Sequence, residues 1–165
     1  MKAETVKTDE GCISMEEFKV LVPEENFIIV EYEEDGLPAI MVINSSLKTF
    51  EPREVFSWNL SILIQFDELN DNGMPKKEET DLLLPFEETM DTELKGNDKN
   101  KPNSLFLARV TWNGTRELIY RVYDPEIVNT YLQNTIESKK YPREFDFRME
   151  FDEKWNLNDW FLTKI

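Results

Sequence analysis

Three arginines, Arg109, Arg116 and Arg121, fall close together with Trp112 among them, in a chain that holds 19 basic residues against 34 acidic ones. A planar guanidinium fork matches a carboxylate or a phosphate, so this cluster could grip an anionic ligand. The plainer reading is cross-strand pairing with Glu117 and other surface acids, each pair contributing about 0.2–1 kcal/mol. Carboxylates are plentiful: Glu33 with Glu34, Glu87 with Glu88, and Asp146, Glu150 and Asp152 along one segment. General acid and base work would need two of them in environments that drive their pKa values apart. They are read as solvated instead, because they lie in turns or opposite apolar stripes and charged residues are seldom buried unpaired.

Glu68, Asn70, Asn72, Gly73 and Glu79 fall at positions 1, 3, 5, 6 and 12 of a calcium-loop pattern. The first ligand is Glu where Asp is expected, Pro75 sits inside the loop, and the segment before it reads as a strand where an entering helix is needed. A chain-reversing turn is therefore expected. Cys12 stands alone without an activating base, which leaves neither an internal disulfide nor a cysteine metal cluster. The chain has no histidine, which removes every His-containing triad and every His-ligated metal site. No catalytic residue, cofactor or metal is assigned.

A formal net charge of -15 repels phosphate backbones and anionic lipid surfaces, so neither nucleic acid nor a membrane is expected as a partner. With 40% apolar and 12% aromatic residues over 165 positions, there is material for one packed domain. The opening MKAETVKTDEGC carries no apolar run of signal-peptide length, so a cytoplasmic protein is expected. For the same reason the acceptor patterns at Asn59 and Asn113 carry no weight as glycosylation sites.

The elements that must position these groups follow from turns and periodicity. Residues 1–25 read as an arm, with an apolar patch from Met15 to Val22, and residues 26–165 as the domain. FIIVEYEE and LPAIMVINSSL flank Asp35-Gly36, a hairpin signal. Ile28, Val30 and Tyr32 share one side of the first strand, and Phe27 and Ile29 the other, which becomes acidic at Glu31 and Glu33. In WNLSILIQF, Trp58, Leu60, Ile62, Ile64 and Phe66 alternate as a strand with one buried face. Leu83, Phe86, Met90 and Leu94 recur at helical spacing, predicting a helix over about 77–95 that is either kinked at Pro85 or starts there.

Asn113-Gly114 joins a second pair of strands, 104–112 and 115–123. A two-residue turn would set Arg109 opposite Leu118. A three-residue turn with a bulge would put Phe106, Ala108 and Val110 on the face of Leu118, Tyr120 and Val122, and this purer apolar face is preferred. Asp124-Pro125 opens a helix with the stripe Ile127, Val128, Tyr131, Leu132 and Ile136, and EFDFRMEF alternates as a last strand. Trp155, Trp160 and Phe161 in the tail are read as core closure. The order predicts an α+β domain: a ferredoxin-like βαββαβ antiparallel sheet with its helices on one face, plus an N-terminal β-hairpin.

Several of these residues carry a family resemblance. Asp35, Gly36 and Pro38 in the first turn, Gly114 and Arg116 with Tyr120 and Tyr123 in the second hairpin, and Trp155 near the end resemble a bacterial family, domain of unknown function 695. The likeness covers roughly residues 26–162. Members of that family are sometimes joined to a domain similar to a ribonuclease E inhibitor, an acidic protein that acts by binding a partner, and the resemblance implies a binding role of that kind.

The expectation is thus a non-enzymatic acidic module that binds or regulates a protein partner, basic or a copy of itself. The alternative is a small-ligand binder or hydrolase built on carboxylates and on Arg109, Arg116 and Arg121, with Trp112 beside them. That alternative requires the arginines to converge in a concave pocket.

Overall fold

The computed structural model describes residues 20–165; Cys12 and most of the apolar patch of the expected arm lie outside the described residues. Strands β1 (Phe27–Glu34) and β2 (Leu37–Asn44) form the first expected hairpin. Asp35 and Gly36 between them have φ of +53° and +76°, the positive values that a tight turn matched to strand twist requires. β3 (Trp58–Gln65), β4 (Ser104–Trp112), β5 (Thr115–Val122) and β6 (Phe145–Phe151) complete one six-stranded sheet. Its order is β1-β2-β4-β5-β3-β6, with every neighbouring pair antiparallel. The fold is α+β.

Helices α1 (Lys77–Lys95) and α2 (Pro125–Ser138) lie on one face of this sheet. Their Leu83, Met90, Leu94, Val128 and Leu132 pack on Leu60, Ile62 and Ile64 of β3 and on Leu118, Tyr120 and Val122 of β5. The α1 helix neither starts at Pro85 nor stops there. Pro85 sits on its exposed side, as does Asp81, whose carbonyl loses its helical donor, so water can take the missing place. Asp124 caps α2, its Oδ1 accepting from the Glu126 backbone N–H at 3.0 Å. Ile127, expected in the buried stripe of α2, is exposed.

The second hairpin corrects the preferred register. Asn113 and Gly114 form a two-residue turn at φ +44° and +77°, Trp112 pairs with Thr115, and Arg109 lies opposite Leu118. The turn is wedged against the loop before α1. Gly114 donates to the Gly73 carbonyl at 2.8 Å, its own carbonyl accepts from Phe66 at 2.9 Å, and a Cβ on Gly114 would meet Leu69 at 3.1 Å. These contacts hold the turn at two residues. The bulge lies farther up, between Phe106 and Ala108.

The other face of the sheet is covered too, without a helix layer of its own. Leu105, Leu107, Ala108 and Ile119 on that side are covered by the connection that carries Leu47, Phe50, Val55 and Phe56, and by Trp155 and Leu162 from the C-terminal segment. That segment includes the short helix α3 (Asp159–Leu162), and Trp160 meets Tyr32 of β1 with ring centroids 5.6 Å apart. Among the described residues no helix is long and apolar enough to cross a membrane.

Candidate groove between the first helix and the N-terminal hairpin

Side chains alternate along β5, so Arg116 and Arg121, an odd number of positions apart, leave the strand on opposite faces. Arg121 enters the face sealed by the C-terminal segment and is 0% exposed. Its Nε and Nη2 donate to the Phe56 carbonyl at 3.3 and 3.2 Å, and Nη2 also reaches the Asp152 carbonyl at 2.5 Å. Nη1 donates to Asn158 Oδ1 at 2.8 Å, to Asp152 Oδ2 at 3.2 Å and to Asn59 Oδ1 at 3.4 Å. The guanidinium also stacks on Trp155, 5.0 Å from the ring centroid. Burial pushes the Arg121 pKa down to about 10, with Asp152 opposing the fall. Every donor direction is occupied from inside the protein, so this arginine has no fork to offer a ligand.

Arg116 and Arg109 enter the other face, beneath α1. Arg116 is 5% exposed; its Nη1 donates to both carboxylate oxygens of Glu87 at 3.2 Å, and its Nε to Thr111 Oγ1 at 3.1 Å. Glu87 was expected on a solvated face, yet it sits on the same stripe of α1 as Leu83, Met90 and Leu94 and is buried. Arg116 is the counter-charge that makes this tolerable. Arg109 lies beyond them: its Nη1 comes only within 4.0 Å of Glu87, its side chain is 35% exposed, and it donates no hydrogen bond among the described residues. Burial, and then the repulsion of Arg116, lower its pKa. Two guanidiniums thus share one carboxylate, leaving a local surplus of one positive charge.

Glu87 and Arg109 line a groove of about 570 Å³. The α1 and α2 layer packs on β3 and β5, and the hairpin β1-β2 extends the sheet past it through β4. Phe27 and Ile29 of β1, Val42 of β2, Phe106 of β4 and Leu118 of β5 form its floor, and α1 forms its wall with Leu84, Glu87, Glu88 and Asp91. Phe27 is 51% exposed, Ile29 69% and Leu84 48%. The bulge keeps Phe106 opposite Tyr120 while Arg109 is opposite Leu118, so both point into the groove. At one end Tyr120 donates to Asp91 Oδ1 at 2.8 Å, and Lys95 bridges Asp91 at 2.7 Å and Glu25 at 3.1 Å. Burial first, then Asp91, raises the Tyr120 pKa well above 10.

The sequence-predicted cluster is therefore divided. Arg109 and Arg116 are brought together on Glu87, with Arg109 lining the groove and Arg116 buried, Arg121 is on the far face, and Trp112 is turned away from the groove with its indole N–H on the Glu34 carbonyl at 3.0 Å. Glu117, the expected cross-strand partner of the arginines, accepts instead from Ser61 Oγ at 2.6 Å. Two further acids expected on solvated faces or in turns are built into ion pairs: Asp152 with Arg121, and Glu79, whose carboxylate is held by Arg143 and accepts from the Asp67 backbone N–H at 3.1 Å. The Arg143 hydrogen bond draws the Glu79 pKa below its ordinary 4.5. The calcium-like segment closes on itself, Asn70 donating to the Met74 carbonyl at 2.8 Å and Gly73 to that of Asn70 at 2.9 Å. Among the described residues no group of three or more acidic or cysteine side chains could hold a metal ion.

The groove residues Phe27, Ile29 and Glu87 were missed as functional candidates. The signal for Glu87 was present in its spacing from Leu83 and Met90, and that for Phe27 and Ile29 in their apolar type on the side of β1 read as turning to solvent.

No curated protein matches the chain, and no solved structure does. The model of a family of unknown function, DUF695, matches residues 28–163, a span that contains all six strands except the first residue of β1, both arginine networks and the closing Trp155. The chain belongs to this family of unknown function, DUF695.

Proposed function

We propose that this protein is a non-enzymatic binding module that receives an extended segment of a partner protein in the groove between α1 and the β1-β2 hairpin. The observation that carries this reading is the apolar floor that no other described residue covers: Phe27 and Ile29, with Leu84 facing them, in a chain whose net charge of -15 otherwise marks a well-solvated surface. β1 is an edge strand, with no strand on its outer side among the described residues, and such an edge can pair with an extended chain. The acidic field favours a basic partner over a second copy of the chain, which would bring two large negative charges together.

The groove also supports a small-ligand reading, since Arg109 lines it with a guanidinium that Glu87 shares with Arg116. It gives less support to a hydrolase: both oxygens of Glu87 are held by Arg116, so this carboxylate is poorly placed to exchange protons. A ferredoxin-like plan for β3 to β6 is supported by their order β4-β5-β3-β6 and by α1 and α2 sharing one face.

The test is selection of peptides from a displayed random library on the intact protein, with the Ile29→Glu variant as comparison. Enriched peptides are expected to bind the wild type and to lose about tenfold or more in affinity for the variant, because the substitution sets a charge on the apolar floor. Absence of enrichment, or equal binding to both proteins, would overturn the groove as the binding site.

A further inference from the structure

Within the groove the charges are arranged in a way that an apolar surface alone does not require. Arg116 takes both oxygens of Glu87, so the Arg109 guanidinium, set between Val42 and Leu118 in the sheet, carries the surplus positive charge on an apolar floor. The rim has the opposite sign. Glu88 projects from α1 into solvent and Glu31 follows Ile29 on the same side of β1, and neither makes an ion pair among the described residues. Asp91 and Glu25 are shared with Lys95 at the end of the groove.

We propose that Arg109 receives the terminal carboxylate of the partner chain, and that the last residues of that chain are apolar and the ones before them basic. This rests on the reading of the groove as a peptide site. A free carboxylate accepts two parallel N–H bonds from a guanidinium fork, and Arg109 has donors not used among the described residues. Apolar final side chains would cover Phe27, Ile29, Phe106 and Leu118, while basic residues farther back would meet Glu31 and Glu88. An acidic internal segment would bring more than one negative charge past that rim in a field already at -15. A single carboxylate at the end of an apolar and basic tail fits both the floor and the rim.

Two display formats separate this inference from the reading beneath it. The same random library is presented once with free carboxyl termini and once with those termini fused to a carrier. Selection on the wild type is expected to enrich the free-terminus format. Its peptides, resynthesised as acid and as amide, should differ by about tenfold or more in affinity, the scale of a charge-assisted hydrogen bond. In Arg109→Gln that difference should disappear, with Ile29→Glu weakening acid and amide alike. If both formats enrich equally, or acid and amide bind alike, the carboxylate inference is overturned while the groove reading stands. Should neither format give peptides sensitive to Ile29→Glu, both fall. Hexanoate serves as the small-molecule arm: if it binds as tightly as the peptide acids, a free monocarboxylate is the ligand and the peptide terminus is overturned.

Discussion

Arg121 and Arg109 stand on the two strands of one hairpin, and they show how little the residue type alone decides. Arg121 points into the face closed by the C-terminal segment, where two backbone carbonyls, two asparagines and Asp152 take its donors. Arg109 points into the groove, where the nearest carboxylate is 4.0 Å away and already holds Arg116. The first guanidinium ties the chain's last segment to the sheet, because its partners come from β3, from the turn before β3 and from residues beyond β6. The second is held beside apolar side chains with donors left over among the described residues. What separates the sealed arginine from the one in the groove is whether the described fold has used up its fork.

Three substitutions test that contrast. Arg121→Leu removes the counter-charge of Asp152, leaving its carboxylate to the backbone N–H groups of Asn156 and Leu157, and unlocks the C-terminal segment, and it should cost about 3–5 kcal/mol in chemical denaturation. A loss below about 1 kcal/mol would show that the sealed network is dispensable and would erase the difference between the two faces. Glu87→Gln keeps the shape of the side chain but removes the counter-charge of Arg116. The expected loss of stability is about 1.5–3 kcal/mol, the scale of hydrogen bonds to charged groups, measured in the same way. Arg109→Gln should leave stability within about 0.5 kcal/mol of the wild type, since no hydrogen bond inside the described protein is lost. A large loss from Arg109→Gln would make it a second structural arginine.

Much of the architecture was legible in the residues. The alternation in β3, the positive-φ pairs Asp35-Gly36 and Asn113-Gly114, and the Asp124-Pro125 start of α2 are local signals, and the chain obeys them. The site was less legible, because it depends on contacts between distant segments. Hydrophobic purity favoured a bulged turn at Asn113, yet the hydrogen bonds between Gly114 and the loop carrying Gly73 fix a two-residue turn. The register that results puts Arg109 and Thr111, not a clean apolar row, beneath α1. Expecting Glu87 to be solvated followed from its charge alone, and its burial beside Arg116 follows from a pairing between a helix and a strand that no local pattern announces.

The irregularity at Leu107 is a phase shifter for the whole groove. In an unbroken strand Phe106 and Arg109 would leave on opposite sides; the extra residue lets the aromatic ring and the cation face the same groove. Shortening β4 by one position there would exchange which side chains face the wall of α1 along one half of the strand, with every other element unaltered. A single insertion or deletion at this point is therefore a route by which chains built on this fold could line the same groove with different side chains.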